Sequence, residues 1–244
     1  MKKMTNYTKA QPKTIKNLFN NIAKRYDFTN SVMSFSLSKR WNRQIAQLAM
    51  QNSSDHFSML DLCSGTGAVA FECLKHTSGS SQAYLLDFSA EMLKIAKAKS
   101  QQENFKMHAI EYLEADAQKI PLANALVDFS TIAYGIRNIY DPAKCFQEVY
   151  RVLKPGGCLA ILELTRPNNR FLRFGHKIYL KFGLPLIGKL LTRDKNAYEY
   201  LCQSINSFVA PKEIEQILNE KNFTNIRSIP LAGGIATIIL AFKK

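Results

Sequence analysis

Between Phe57 and Leu164, short apolar runs alternate with amphipathic stretches, and this alternation restricts the fold more than any other feature of the chain. Five runs have strand length: Phe57–Cys63, Ala83–Asp87, His108–Leu113, Leu126–Ala133 and Cys158–Leu164. A helix is expected from the Ser64-Gly65-Thr66-Gly67 turn to about Lys75. A second follows Ser89, which can N-cap it and turns Met92, Leu93 and Ile95 inward. A third runs from Pro142 to Leu153, with proline in its first turn, and Lys154-Pro155-Gly156-Gly157 reads as a turn. Strands that alternate with helices in this way build a mostly parallel sheet covered on both faces.

The flanks follow other patterns. Pro12–Arg25 reads as a helix with Ile15, Leu18, Phe19 and Ile22 on one face, and Trp41–Met50 as a second with Ile45, Leu48 and Ala49 inward. Both precede the first strand, so they form a cap. Beyond the fifth strand, an insertion from Arg166 to Ser207 ends in a helix around Ala197–Ser207. A helix over Pro211–Glu220 follows, then strands Ile226–Ile229 and Thr237–Phe242. Leu231-Ala232-Gly233-Gly234 joins these two as an antiparallel hairpin at the sheet edge. The expected organisation is a single doubly wound α/β domain, Rossmann-like, with seven strands. Residues 1–55 form the helical cap, 56–165 the ligand-binding core, 166–207 a basic apolar lid, and 208–244 the C-terminal helix and hairpin. The lid would lie over the C-terminal ends of the strands, where ligands bind in such sheets.

Composition narrows the partners. No apolar segment follows the N-terminal lysines, so a signal peptide is not expected, and the Leu231–Phe242 run is too short to span a bilayer. Five cysteines without CxxC spacing argue against a disulfide framework or zinc site and suit a reducing cytoplasm. The formal charge of +14 would suit nucleic acid, an anionic membrane or an acidic substrate. From Arg166 to Arg193 there are seven Lys or Arg and no Asp or Glu, interleaved with Phe, Leu, Ile and Tyr. Basic residues beside apolar ones fit an enzyme lying on the inner face of a membrane.

The first strand and its turn read Leu60-Asp61-Leu62-Cys63-Ser64-Gly65-Thr66-Gly67. Glycines there let the backbone pass close to a ligand and turn sharply into a helix, although Cys63 stands where a strict GxGxxG has glycine. Asp87 ends the second strand, 26 residues after Asp61, and can accept both hydroxyls of a ribose. Asp116, in Glu114-Ala115-Asp116-Ala117, follows the third strand and can accept from an adenine amino group. Asp61 suits a cationic amino-acid end better than a pyrophosphate. Loop-end capping is the plainer role for any one of these acids; their recurrence after three successive strands favours a nucleoside site.

Three further segments narrow the reading. They are Tyr26-Asp27-Phe28-Thr29-Asn30 with Met33-Ser34 and Trp41; Tyr134-Gly135-Ile136-Arg137-Asn138; and Arg151-Val152-Leu153-Lys154-Pro155-Gly156-Gly157, running on to Glu163. A looser fourth is Tyr198-Glu199-Tyr200-Leu201 with Ser204-Ile205. With the cofactor loop, these make the chain resemble class I S-adenosylmethionine methyltransferases, and within them the C-methyltransferases of menaquinone and ubiquinone biosynthesis. The resemblance covers nearly the whole chain in order. It departs at Thr29, where the family usually has Met, at Ser38, where it has His, and at Ala133, where a serine near the cofactor is usual.

The resemblance implies S-adenosylmethionine as cofactor, with Thr66, Asp87, Asp116 and Ala117 in contact with it, beside Asp61, Gly65 and Gly67 of the loop. It implies a prenylated quinol as substrate, demethylmenaquinol first and the benzoquinol of ubiquinone synthesis as the alternative. A quinol ring carbon becomes nucleophilic when the neighbouring hydroxyl loses its proton, and no metal is needed. Arg137 would favour the phenolate, Asn138 orient the hydroxyl or a water, and Tyr26 and Asp27 close over the ring, with Asp27 or a water accepting the proton. Plainer roles are an ion pair of Arg137 with a sheet-end acid, and a lock between cap and core for Tyr26 and Asp27. His176 reads as a surface residue. Phe171, Phe174, Ile178, Leu180, Phe182, Leu184 and Leu186 are expected to line a tunnel for the polyprenyl tail.

Other readings remain: a methyltransferase for an unrelated small lipid, and a silent subunit scaffolding a quinone-synthesis complex. A nucleic-acid methyltransferase is disfavoured. Enzymes acting on exocyclic amines often carry Asn/Asp-Pro-Pro-aromatic after the fourth strand, where this chain has Ala-Tyr-Gly-Ile-Arg-Asn. The residues leave the oligomeric state open, a homodimer among the options.

Overall fold

The computed structural model describes residues 12–167, 169–183, 204 and 210–244. Seven strands form one sheet in the order β3-β2-β1-β4-β5-β7-β6. They are β1 (Ser58–Leu62), β2 (Gln82–Asp87), β3 (Ala109–Glu114), β4 (Val127–Ala133), β5 (Leu153–Leu164), β6 (Phe223–Leu231) and β7 (Ala236–Lys243). The first five are parallel; β7 runs antiparallel to β5, and β6 antiparallel to β7. The doubly wound sheet and its terminal hairpin are therefore as the alternation predicts. Lys154–Gly157 is a bulge within β5 rather than a turn before it: Leu153 pairs with Val127, but the next pair is Cys158 with Phe129.

Period-two alternation splits the core between the two faces. Met59, Leu85, Phe129, Ala160 and Leu240 face α3 (Leu37–Ala49), α4 (Ala68–Leu74) and α5 (Ala90–Lys99). Leu60, Leu62, Ile132, Ile161 and Ile239 face α6 (Pro142–Val152) and α8 (Pro211–Glu220), a helix preceded in chain order by α7 (Arg170–Ile178). Each face is covered, which is why the strands read as almost unbroken apolar runs. Helix starts follow their caps. The Ser89 side chain accepts from Met92 N, and that of Asp141 accepts from Lys144 N ahead of Pro142.

The cap departs from the two-helix expectation. Among its described residues are three α-helices, α1 (Pro12–Ile22), α2 (Tyr26–Met33) and α3, the last beginning four residues earlier than its apolar stripe suggests. Helix α2 buries Thr29 and Met33, one turn apart, and supplies too few apolar positions to be read as a helix from sequence. Left-handed Phe35 and Ser36 then turn the chain into α3. Helix α1 crosses the C-terminal ends of β2 and β3: Lys16 pairs with Glu114 at 2.6 Å, and Ser89 Oγ donates to Asn20 Oδ1 at 2.6 Å. The cap thus roofs the end of the sheet where the acids lie.

The expected helix Ala197–Ser207, the Tyr198–Leu201 segment, Ile205, Leu184 and Leu186 lie outside the described residues, Ser204 excepted. Before them, the Asn169 side chain caps α7 by accepting from Phe171 N and Leu172 N.

Candidate active site

Turns at the ends of β1 and β4 press together at the head of the sheet. Cys63 and Tyr134 both take left-handed φ, near +53° and +57°. Gly135 is required between them, because a Cβ there would sit 2.4 Å from Cys63 Cβ and 2.8 Å from its Sγ. Gly65 and Gly67 are also left-handed; a Cβ on Gly67 would strike Phe71, whereas the space beside Gly65 is open.

Asp87 anchors the loop. Its Oδ2 accepts from Gly65 N and its Oδ1 from Ser89 N, each at 2.8 Å. Asp61 lies deeper, where its Oδ1 accepts from Thr131 Oγ1 at 2.6 Å and its Oδ2 from Ala70 N at 3.3 Å. Burial raises both acids, Asp61 to about 7 and Asp87 to about 6, against the lowering effect of those hydrogen bonds; Asp87 also raises Asp61. Ser64 Oγ is buried nearby without a hydrogen-bond partner among the described residues. Two buried carboxylates and an unsatisfied hydroxyl suit a ligand that brings a positive charge and polar groups.

Two cavities with carboxylates in their walls flank this loop. One, of about 440 Å³, is bordered by Asp61, Ser64, Gly65 and Thr66 below and by Tyr26, Asp27 and Asn30 of the cap above. The other, of about 290 Å³, is bordered by Asp87, Asp116, Ala117 and Asn138. Both oxygens of Asp116 are engaged by Gln118, whose backbone N lies 2.9 Å from Oδ1.

A third cavity, of about 340 Å³, is apolar. Met33, Leu37 and Trp41 of the cap, Leu164 of β5, and Leu172, Tyr179 and Leu180 of the lid wall it. The lid is tied to the cap where Tyr179 Oη donates to Met33 O at 2.5 Å. Tyr26 and Tyr134 border this cavity, the 440 Å³ cleft and a small pocket beside Asp87, so the two rings stand where apolar and polar spaces meet.

The structure separates residues that the sequence reading grouped. Arg137 borders the apolar cavity and is 5% exposed, whereas Asn138 faces Asp87 and Asp116. The Arg137 guanidinium donates to Glu163 Oε1, a sheet-end acid that is 1% exposed. Burial raises Glu163, and the positive charge of Arg137 opposes the rise. Asp27 is an exposed ion-pair partner: Lys99 Nζ lies 2.5 Å from its Oδ2, and Thr66 Oγ1 donates to its Oδ1 at 2.7 Å. Both carboxylate oxygens are thus engaged, which favours its lock role over that of proton acceptor. The Thr66 hydroxyl faces the cap rather than the sheet. Burial raises the Tyr26 phenol, and the positive charge of Arg137 opposes the rise.

Sequence reasoning missed Lys99, which reaches Asp27 from 72 residues away, and gave Tyr134 no role of its own. The tunnel expectation needs correction. Leu180 lines the apolar cavity, but Phe171, Phe174, Ile178 and Phe182 face solvent. The cavity face of the lid is instead Leu172, Gly175, His176, Tyr179 and Leu180, so His176 is half-buried against an apolar wall rather than on the surface. That burial lowers its pKa.

The family model described as "ubiE/COQ5 methyltransferase family" matches residues 5–243. Among curated relatives, the demethylmenaquinone methyltransferase of Protochlamydia amoebophila is 51% identical over 98% of this chain and 99% of its own. That of Chlamydia caviae is 37% identical over 94% and 96%. Among solved structures, a putative S-adenosyl-L-methionine-dependent methyltransferase from Methanococcus maripaludis aligns with TM-score 0.61 at 20% identity, over 94% of this chain and 93% of that one. A possible histamine N-methyltransferase from Thermotoga maritima aligns with TM-score 0.59 at 17% identity, over 93% and 99%. At these identities the two structures bear on the fold alone.

Proposed function

Because this chain belongs to the ubiE/COQ5 methyltransferase family and is an S-adenosylmethionine-dependent methyltransferase, we propose that it methylates a ring carbon of demethylmenaquinol, a step of menaquinone biosynthesis. The observation that carries this reading is the junction of an apolar cavity with a polar cleft at Tyr26 and Tyr134, with Arg137 on the apolar side and Asp61 on the polar one. A fused aromatic ring with an isoprenoid tail suits the first space, and a cationic nucleoside suits the second.

S-adenosylmethionine, when bound, supplies a methyl group on a positive sulfur. Asp87 offers its remaining lone pairs to ribose hydroxyls. Asp61 meets the cationic amino-acid end, Gly65 and Gly67 let the loop approach, Thr66 stays with the cap, and Asp116 and Ala117 border the adenine. Trp41, Met33 and Leu180 hold the quinol ring and exclude water. Arg137, oriented by Glu163, favours the phenolate over the phenol at the reacting edge. Asn138 orients polar groups on the cofactor side, and Tyr26 closes the roof, which the Asp27–Lys99 pair fastens.

The lid supports a second part of the proposal. Helix α7 and the helical turn Tyr179–Gly183 after it have an inner face on the cavity and an outer face with Phe171 89%, Phe174 68% and Phe182 62% exposed. Arg170, Arg173, Lys177 and Lys181 flank that outer face. No helix among the described residues is long and apolar enough to cross a membrane. The outer face of α7 therefore rests on an anionic bilayer, where a prenylated quinol resides.

The deciding experiment is transfer of labelled methyl to a panel of demethylmenaquinol, the demethylated benzoquinol, a sterol and RNA. The expected outcome is a labelled carbon on demethylmenaquinol with the highest kcat/KM. Label on RNA or on the sterol, or no transfer to any quinol, overturns the reading.

A further inference from the structure

The Tyr134 hydroxyl is buried, and among the described residues it has no hydrogen-bond partner. An unsatisfied hydroxyl in an interior is unfavourable, and native chains keep few of them. This one stands on the border of the apolar cavity and the cofactor cleft. It belongs to a residue whose left-handed backbone is itself strained.

We propose that the Tyr134 hydroxyl is the hydrogen-bond donor to a ring oxygen of the quinol, and that it sets the position of the ring against the cofactor cleft. The proposal rests on the quinol reading of the apolar cavity. A ring lying between Trp41 and Leu180 has its two oxygens as its only polar atoms; Arg137 meets the one that ionises, and the other would be buried unsatisfied without a second donor. Burial, with Tyr26 and Glu163 close by, raises the Tyr134 phenol well above its usual range, so it stays protonated and donates throughout the working pH range. An apolar cavity grips the ring by area and leaves it free to rotate; one directed donor removes that freedom.

The test uses Trp41, which is the single tryptophan of the chain and lines the cavity. A short-chain naphthoquinone quenches its fluorescence on binding, and 2-methylnaphthalene, a similar ring without oxygen, is measured by displacement of that quinone. In Tyr134→Phe, quinone affinity is expected to fall about tenfold, the scale of one hydrogen bond to a buried partner. Affinities for 2-methylnaphthalene and S-adenosylmethionine are expected to stay within about twofold, and the free variant to melt no lower than the parent. Equal quinone affinity in the two proteins overturns the proposal. So does an equal loss for the ring without oxygen, which marks a packing role, or a parallel loss of S-adenosylmethionine, which marks a cofactor contact. If the parent binds neither ring, the quinol reading of the cavity falls and takes this proposal with it.

Discussion

Arg137 and Glu163 form a buried ion pair between the adjoining ends of β4 and β5, with both side chains almost entirely out of solvent. Glu163 is satisfied further by Leu164 N at 2.8 Å. A pair of this kind is costly to break, because removing one partner strands the other charge; the loss is about 3–5 kcal/mol. The same guanidinium faces the apolar cavity, so its structural and chemical contributions must be measured apart.

Arg137→Gln is expected to lower both the melting temperature and kcat, the latter by about a hundredfold or more, as when one preorganised electrostatic group is lost. Arg137→Gln with Glu163→Gln removes the stranded acid and should recover most of the melting temperature without recovering turnover. Thermal unfolding and labelled-methyl assays on the same preparations decide the matter. Turnover that returns together with stability would confine Arg137 to holding the turn.

Asp61 and Asp87 make cofactor affinity depend on pH. With folded pKa values of about 7 and about 6, both above those of unfolded carboxylates, the free protein binds extra protons between about pH 4 and 7. Their contribution to its stability is therefore present below the unfolded pKa and is lost as pH rises through the folded values. A cationic ligand favours the ionised acids, so binding near pH 6.5 should release protons, and affinity should rise from about pH 5.5 to 7.5. Calorimetry in buffers of different ionisation heat reads the release directly. Asp87→Ala should cost on the order of 2–4 kcal/mol of affinity, and an affinity within about twofold of the parent would remove Asp87 from the site.

The two faces of α7 should be separable by mutation. Phe171→Ser with Phe174→Ser changes side chains that face solvent, so turnover of a soluble short-chain quinol is expected to hold. Binding to anionic vesicles should fall even at high salt. Arg170→Gln with Arg173→Gln should weaken vesicle binding chiefly at low salt, where unscreened charge contributes most. A parent that sediments equally poorly with anionic and neutral vesicles would end the membrane assignment.

Gly135→Ala tests the contact between the turns after β1 and β4. The added methyl meets Cys63 Cβ at 2.4 Å, and the overpacking should cost on the order of 1–3 kcal/mol. Cys63→Gly removes that Cβ and relieves a left-handed residue, so the double variant should melt near the parent. If Gly135→Ala alone melts with the parent, the two turns have more slack than their contact implies.

The sheet was legible because the apolar period is local: Met59 and Leu60 point to opposite faces whatever else the chain does. The Ser89 and Asp141 caps were legible for the same reason. Helix α2 was not, since it is held by cap-to-core contacts such as Asp27 with Thr66 and Lys99 that only tertiary structure creates. The acids near the C-terminal ends of β1, β2 and β3 could be placed, but not which of their oxygens other groups already occupy. Helix α7 shows a further limit. It is apolar on two sides, and composition alone does not say whether Phe171 and Phe174 or Leu172 and His176 turn inward. The ring-border position of Tyr134 depends on where β4 ends relative to the cap, which no spacing reveals.

The placement of β7 has a consequence for how the chain reaches this structure. Strand β6 emerges from the ribosome before β7, yet its neighbour in the sheet is β7, and β7's other neighbour, β5, was made some 70 residues earlier. Until β7 slots between them, β5 presents an open apolar edge and β6 has nothing to pair with. Joining strands so distant in sequence is slow relative to local helix formation, and an exposed strand edge invites association with other chains. One half of the sheet, β3-β2-β1-β4, can assemble as it is synthesised, whereas the other waits for a single late strand. Substitutions that weaken Ala236–Lys243 should therefore appear first as poor yield and inclusion-body formation, before any change in the activity of the molecules that do fold.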